Sequence, residues 1–146
     1  MSNLYFACDK INAPDSSSIE VVISLGENDF KLRPSSSKRN KADYSCSFKM
    51  MKELVLLADH TYIPVVIKVS YLDASSNPAE SGQIELKPEE FANQATFEKK
   101  QYTIPVAGKD GVTASVAMAL VPTGGAEPSG YADFSDKNVS SAQVTA

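Results

Sequence analysis

Cys8, Cys46 and His60 are the only thiol and imidazole groups in the 146-residue chain, and their scarcity limits its chemistry. A structural zinc site takes four Cys or His ligands at short mutual spacings, and three scattered ones do not supply it. A disulfide between Cys8 and Cys46 is geometrically conceivable. Both cysteines nevertheless sit in alternating, strand-like stretches of a chain that reads as cytoplasmic, so buried free thiols are expected. Neither has a base beside it that would make it a nucleophile. His60 follows Asp59, but catalytic triads are assembled from residues distant in sequence and no G-x-S-x-G elbow is present, so a surface turn is expected there. The carboxylate pairs Glu89-Glu90 and Asp133 with Asp136 lie at a helix start and in a polar tail, not in an apolar cleft that would split their pKa values. Gly124-Gly125 and Gly108-x-x-Gly111 lack the lysine and the strand-to-helix setting of a phosphate loop. No catalytic residue, resident metal or cofactor is expected.

The elements that would position these side chains follow a period of two, the signature of half-buried strands. Leu4, Phe6 and Cys8 point one way, and Tyr5, Ala7 and Asp9 the other. Ile19 to Leu25 is a β-branched run closed by Gly26-Glu27-Asn28-Asp29, with extended character resuming from Phe30 to Arg33, so a hairpin is expected. Tyr44, Cys46 and Phe48 alternate with polar neighbours. Glu53 to Ala58 reads equally as strand or short helix. Ile63 to Leu72 is the strongest strand, with Pro64 at its start or on an edge. A turn-rich stretch separates it from a short strand at Gln83 to Leu86. Pro88-Glu89-Glu90-Phe91 suits a single helical turn, and Tyr102 to Val106 and Gly111 to Val121 are the last strands. Eight antiparallel strands in a chain of this size predict an all-β, two-sheet sandwich.

Composition bounds the rest. Hydrophobic residues make up 42% of the chain, enough for one core. The formal charge is -4, with 14 bases against 18 acids, which argues against a dedicated nucleic-acid binder. No apolar run spans a bilayer and the first residues lack a signal-peptide pattern. From Pro122 onward Gly, Ser, Ala and Pro dominate and periodicity vanishes, predicting a domain over 1–121 and a flexible tail or linker over 122–146. That composition fits a small protein with a loose tail and the first domain of a longer one equally well. Tyr131 and Phe134 stand out in the tail as a candidate docking motif, although two aromatics in a polar tail are more often incidental.

The order of segments resembles a C2 domain over about Ser2 to Val121. The resemblance is carried by the opening strand and loop LYFACDKINAPDSSS, the strand and Leu-Gly turn of IEVVISLGENDFKLR, and the aromatic-x-x-x-aromatic strand Tyr44 to Phe48. The central strand and acidic loop ending in Gly-x-Ile-x-Leu, VVIKVSYLDASSNPAESGQIEL, and the closing block FEKKQYTIPVAGKDGVTASVAMAL are its most specific parts. C2 domains commonly hold calcium with about five Asp carboxylates from two loops. Here the matching positions are Asp9 and Asp15 in the first loop and Asp73 and Glu80 in the second. Where the family pairs two Asp one residue apart, this chain reads Tyr71-Leu72-Asp73, and Ser75 to Asn77 occupies a later acidic position. The loops are therefore expected to be degenerate and the fold calcium-independent.

The family also uses basic surfaces to hold anionic lipid head groups. The window Lys31 to Lys41 carries Lys31, Arg33, Lys38, Arg39 and Lys41 with no acid among them. Each base near an anionic leaflet contributes on the order of 1 kcal/mol. The resemblance implies a non-catalytic protein-protein interaction module, binding a protein partner or self-associating, in a cytoplasmic scaffold or cytoskeletal assembly. A peripheral adaptor for phospholipid or phosphoinositide is the alternative.

Overall fold

The Leu4, Phe6 and Cys8 alternation enters the main core with no exposed surface on any of the three side chains. In a computed structural model of the protein, which describes residues 2–14, 18–33, 35–36, 42–92, 97–134 and 143–144, these residues lie on β1 (Ser2–Asn12). The chain continues through β2 (Ile19–Leu25), β3 (Asn28–Leu32), β4 (Ser35–Ser36), β5 (Asp43–Leu54) and β6 (Val65–Leu72). β7 (Pro78–Leu86), β8 (Lys100–Thr103), β9 (Thr113–Pro122) and β10 (Gln143–Val144) follow. One antiparallel sheet has the order β4-β5-β1-β9-β8 and the other β10-β3-β2-β6-β7. The fold is an all-β sandwich, and among the described residues helical geometry is confined to 3-10 turns at Pro88–Phe91 and Tyr131–Asp133. Each of the eight longer strands overlaps a stretch expected to be extended, although β8 ends at Thr103 where Tyr102 to Val106 was expected, and the two-residue β4 and β10 are additions.

Boundaries differ where turn chemistry decides them. The stretch after Leu72 looks loop-like from its Asp, Ser, Asn and Pro content, yet the loop proper closes over five residues. Asp73 Oδ1 accepts from the backbone N–H of Ser75 at 2.8 Å and of Asn77 at 3.0 Å, a local cap that lets β7 begin at Pro78 instead of Gln83. Proline is tolerated because β7 is an edge strand with no outer neighbour to receive its missing N–H. Pro64 acts similarly, since β6 starts immediately after it. Glu53 and Leu54 finish β5. Val55, Leu56 and Leu57 then leave the sheet with side chains 65%, 42% and 40% exposed.

A β-bulge at Asp9 shifts the register of β1 against both neighbours between Cys8 and Lys10. The extra residue turns Asp9 out of the alternation while Cys8 and Ile11 stay in the core. Tyr5 and Ala7, expected to face solvent, are also buried, together with Ala117 and Ala119 of β9. The reason lies beyond Pro122. Residues 123–134 return over this sheet, and Tyr131 and Phe134 pack with Tyr5, Ala7, Phe97, Ala117 and Ala119 in a second small cluster. The aromatic pair in the Gly- and Pro-rich segment is therefore part of the packed structure.

Candidate functional site

Three of the four residues singled out as remnants of a calcium site, Asp9, Asp73 and Glu80, are engaged by neighbours. Asp9 Oδ2 lies 3.0 Å from Lys99 Nζ, and Asp73 caps its own loop. Glu80 Oε1 is 3.9 Å from Lys109 Nζ. Asp15 lies outside the described residues. Among the described residues no three His, Cys, Asp or Glu side chains converge as a metal would require. Tyr71, at the position where the resembling family has an Asp, instead donates from its hydroxyl to the carbonyl oxygen of Pro14 at 2.6 Å. Lys109 Nζ stands 4.9 Å over its ring. The hydroxyl bond thus ties the first loop to the end of β6, and the cation-ring contact ties the same tyrosine to the connection between β8 and β9.

The basic window divides similarly. Arg33 donates to Glu20 Oε2 at 3.1 Å and Lys31 Nζ is 4.0 Å from the same oxygen. Glu20 belongs to β2, its side chain is only 7% exposed, and a carboxylate so buried needs compensating charge. Two of the five bases are therefore counter-ions to an internal acid. Lys38, Arg39 and Lys41 lie outside the described residues.

The thiols and the imidazole have local explanations. Cys8 and Cys46 are buried and free. Hydrogen bonding of the Cys46 thiol to Cys8, reinforced by burial, holds Cys46 well above the usual thiol range, opposite to what a nucleophile needs. His60 sits at φ 64° in an exposed turn whose N–H donates to the Leu57 carbonyl at 2.9 Å. Asp59 does not orient the imidazole. Its Oδ1 accepts from the Thr61 hydroxyl at 2.6 Å and the Thr61 N–H at 3.2 Å, and these bonds lower its pKa.

Two open surfaces were not legible as sites in the sequence. A polar cleft of about 570 Å³ lies between β1, β8 and β9, lined by Lys10, Asn12, Lys99, Gln101, Thr113 and Ser115. Two of its three bases are again matched, Lys10 to Asp43 at 3.7 Å and Lys99 to Asp9, while Lys100 Nζ lies 5.9 Å over the Phe91 ring. The second is a groove of about 400 Å³ where β5 ends, bounded by the apolar Leu54, Val55, Leu57 and Ile63 and by the charged Glu27, Lys52 and Glu53, with exposed Leu56 next in sequence. The run Leu54-Val55-Leu56-Leu57 was the available signal, obscured because apolar runs normally mean core. Neither a family model nor a curated protein sequence matches the chain. No helix among the described residues is long and apolar enough to cross a membrane.

Proposed function

We propose that the chain is a non-catalytic, C2-like protein-protein interaction module serving an intracellular scaffold or cytoskeletal assembly without calcium. The observation that carries this reading is the exposed Val55, Leu56 and Leu57 against an open groove. Contiguous apolar surface of this kind characterises protein-binding sites more than solvated faces. The C2-like assignment draws support from the two-sheet sandwich and from the Gly-Gln-Ile-Glu-Leu segment, which ends β7 and leads after Lys87 into the 3-10 turn. The carboxylates at the loop end, committed to Lys99, Lys109 and their own backbone, support the calcium-independent form of the reading. β7 offers a second docking mode. It is an edge strand with most of its residues exposed, suited to strand addition by a partner peptide.

The test compares wild type with Leu56→Glu/Leu57→Glu in affinity capture from cell extract and in sedimentation velocity. A specific partner or self-association present in wild type and lost in the variant is expected; no difference between the two proteins would sink the reading. The competing reading, an adaptor for anionic lipid through Lys31, Arg33, Lys38, Arg39 and Lys41, is weakened by the engagement of Lys31 and Arg33 with Glu20. Co-sedimentation with phosphoinositide vesicles, abolished by Lys38→Glu/Arg39→Glu and unaffected by calcium, would favour it instead.

A further inference from the structure

The outward face of the β1/β9 pair is a shallow trough. Tyr5 stands opposite Ala119, and Ala7 opposite Ala117. Three of these four side chains are single methyl groups, so the floor is low. On one side β5 places Lys49 opposite Ala7 and Met51 opposite Tyr5. On the other, Phe97 closes the trough ahead of β8.

Residues 128–134 fill this trough as a bound peptide would. Phe97 N–H donates to the Ser129 carbonyl at 2.7 Å. Gly130 turns the chain at φ 99°, where a Cβ would lie 3.1 Å from the Phe97 carbonyl oxygen, so glycine is required by conformation and by space. Tyr131 then enters edge-on to Tyr5 at 4.9 Å and to Phe97 at 5.3 Å, and Phe134 meets Phe97 edge-on at 5.1 Å. Lys49 grips Tyr131 twice, with Nζ 3.3 Å from its carbonyl oxygen and 4.6 Å over its ring. The trough thus has a backbone anchor, room for a glycine, two aromatic subsites and a basic rim. This segment is joined to β9 by five exposed residues, Thr123-Gly124-Gly125-Ala126-Glu127.

We propose that the β1/β9 trough is a peptide-docking site for Gly-aromatic-x-x-aromatic segments, held closed in cis by Gly130-Tyr131-Ala132-Asp133-Phe134 and opened when a partner protein presents the same pattern. The site specifies its ligand through the occupant already seated in it. The proposal rests on the reading of the chain as a protein-docking module and adds a surface, a ligand pattern and a mode of regulation. A short tether gives a cis segment a millimolar effective concentration, so partners must either exceed that local competition or act after the segment is displaced.

The test uses the full chain and a fluorescein-labelled peptide spanning residues 126–134, with a control peptide in which both aromatics are alanine. Tyr131→Ala/Phe134→Ala empties the trough and is expected to bind the labelled peptide more tightly than wild type does by roughly the ratio of the cis segment's effective concentration to its own dissociation constant, about 100-fold for a millimolar effective concentration and a constant of about 10 μM. Adding Ala119→Leu, whose extra atoms enter only the space the segment vacates, is expected to abolish that binding. Should the emptied chain lose its cooperative melt, a protease site replacing residues 123–127 of the otherwise wild-type chain gives the second route. After cleavage the released segment is expected to exchange with labelled peptide while the body stays folded. Equal binding by wild type and emptied chain, binding of the control peptide, or a cleaved chain that unfolds or never exchanges would each overturn the proposal. A concentration-dependent dimer formed by swapping the segment between copies would also overturn it. Leu56→Glu/Leu57→Glu is expected to leave peptide binding unchanged, so failure at the β5 surface and failure at the trough are separate results.

Discussion

Gly82 on β7 lies directly beneath the backbone of Pro105: a Cβ at Gly82 would fall 2.6 Å from the Pro105 carbonyl carbon and 3.0 Å from Val106 Cα. Gly82 pairs with Val69 on the core side of β6, so the close approach is where the chain leading from β8 to β9 crosses the mouth of the sandwich. The obstructing atoms are backbone and cannot rotate away. Gly82→Ala is therefore expected to destabilise the fold by about 3 kcal/mol, the upper end of overpacking costs, lowering Tm by roughly 10 °C. Thermal melts of the variant beside a control alanine at solvent-facing Gln83 check this, and equal stability of the two would contradict it.

The bond from Tyr71 to the Pro14 carbonyl predicts a loss without a change of shape. Tyr71→Phe keeps the ring beneath Lys109 and removes only the hydroxyl, leaving a partly buried carbonyl without that donor, a cost of about 1 to 2 kcal/mol. Urea unfolding should show a lower midpoint at unchanged slope. Millimolar calcium should restore none of the loss. A calcium-dependent rise in Tm in either protein would show that the loop carboxylates take a cation after all.

Glu20 and Arg33 should behave as a coupled pair. Arg33→Met leaves a carboxylate of 7% side-chain exposure with only the more distant Lys31. Its effect should shrink in a Glu20→Gln background, with a coupling energy of about 1 kcal/mol, since Arg33 itself is half exposed. Additive effects in the double-mutant cycle would free Arg33 for another partner and revive the lipid reading.

Stability should fall in alkali. Cys46 is raised in the folded state, so between the unfolded thiol pKa of about 8.5 and its folded value the folded chain binds more protons than the unfolded one. The contribution is fully present below pH 8.5 and is lost as pH rises, with a slope of up to about 1.4 kcal/mol per pH unit. Tyr102, raised by burial and then by Glu90, adds the same sense near pH 10. Denaturation midpoints from pH 7 to 10 should decline in wild type and decline less in Cys46→Ala.

Strand positions were readable because burial of one face imposes a period of two, and the core residues Leu4, Phe6, Val65, Ile67 and Val69 obey it. The full length of β7 was not, since Asp73 and the Ser-Asn-Pro stretch signal a turn whose length only the Asp73 hydrogen bonds determine. Burial of Tyr5 and Ala117 was hidden for a different reason. A residue on the outer face reads as exposed unless something covers it, and the covering segment is Gly- and Pro-rich with only two aromatics to mark it. Asp9 and Glu80 looked like scattered loop acids, and their partners Lys99 and Lys109 come from distant sequence. Pairing across such distances leaves no local pattern.

β1 pairs along its length with β9, Ser2 with Pro122 and Asn12 with Thr113. During synthesis the first strand therefore leaves the ribosome long before one of its two main neighbours exists. Only after more than a hundred further residues have been made can the middle of that sheet close, so the sandwich matures late, with its N-terminal strand half-dressed until then. Pairing across so much sequence also slows folding. A cell making this chain must keep Leu4, Phe6 and Cys8 from other company until Thr113 to Pro122 has been made.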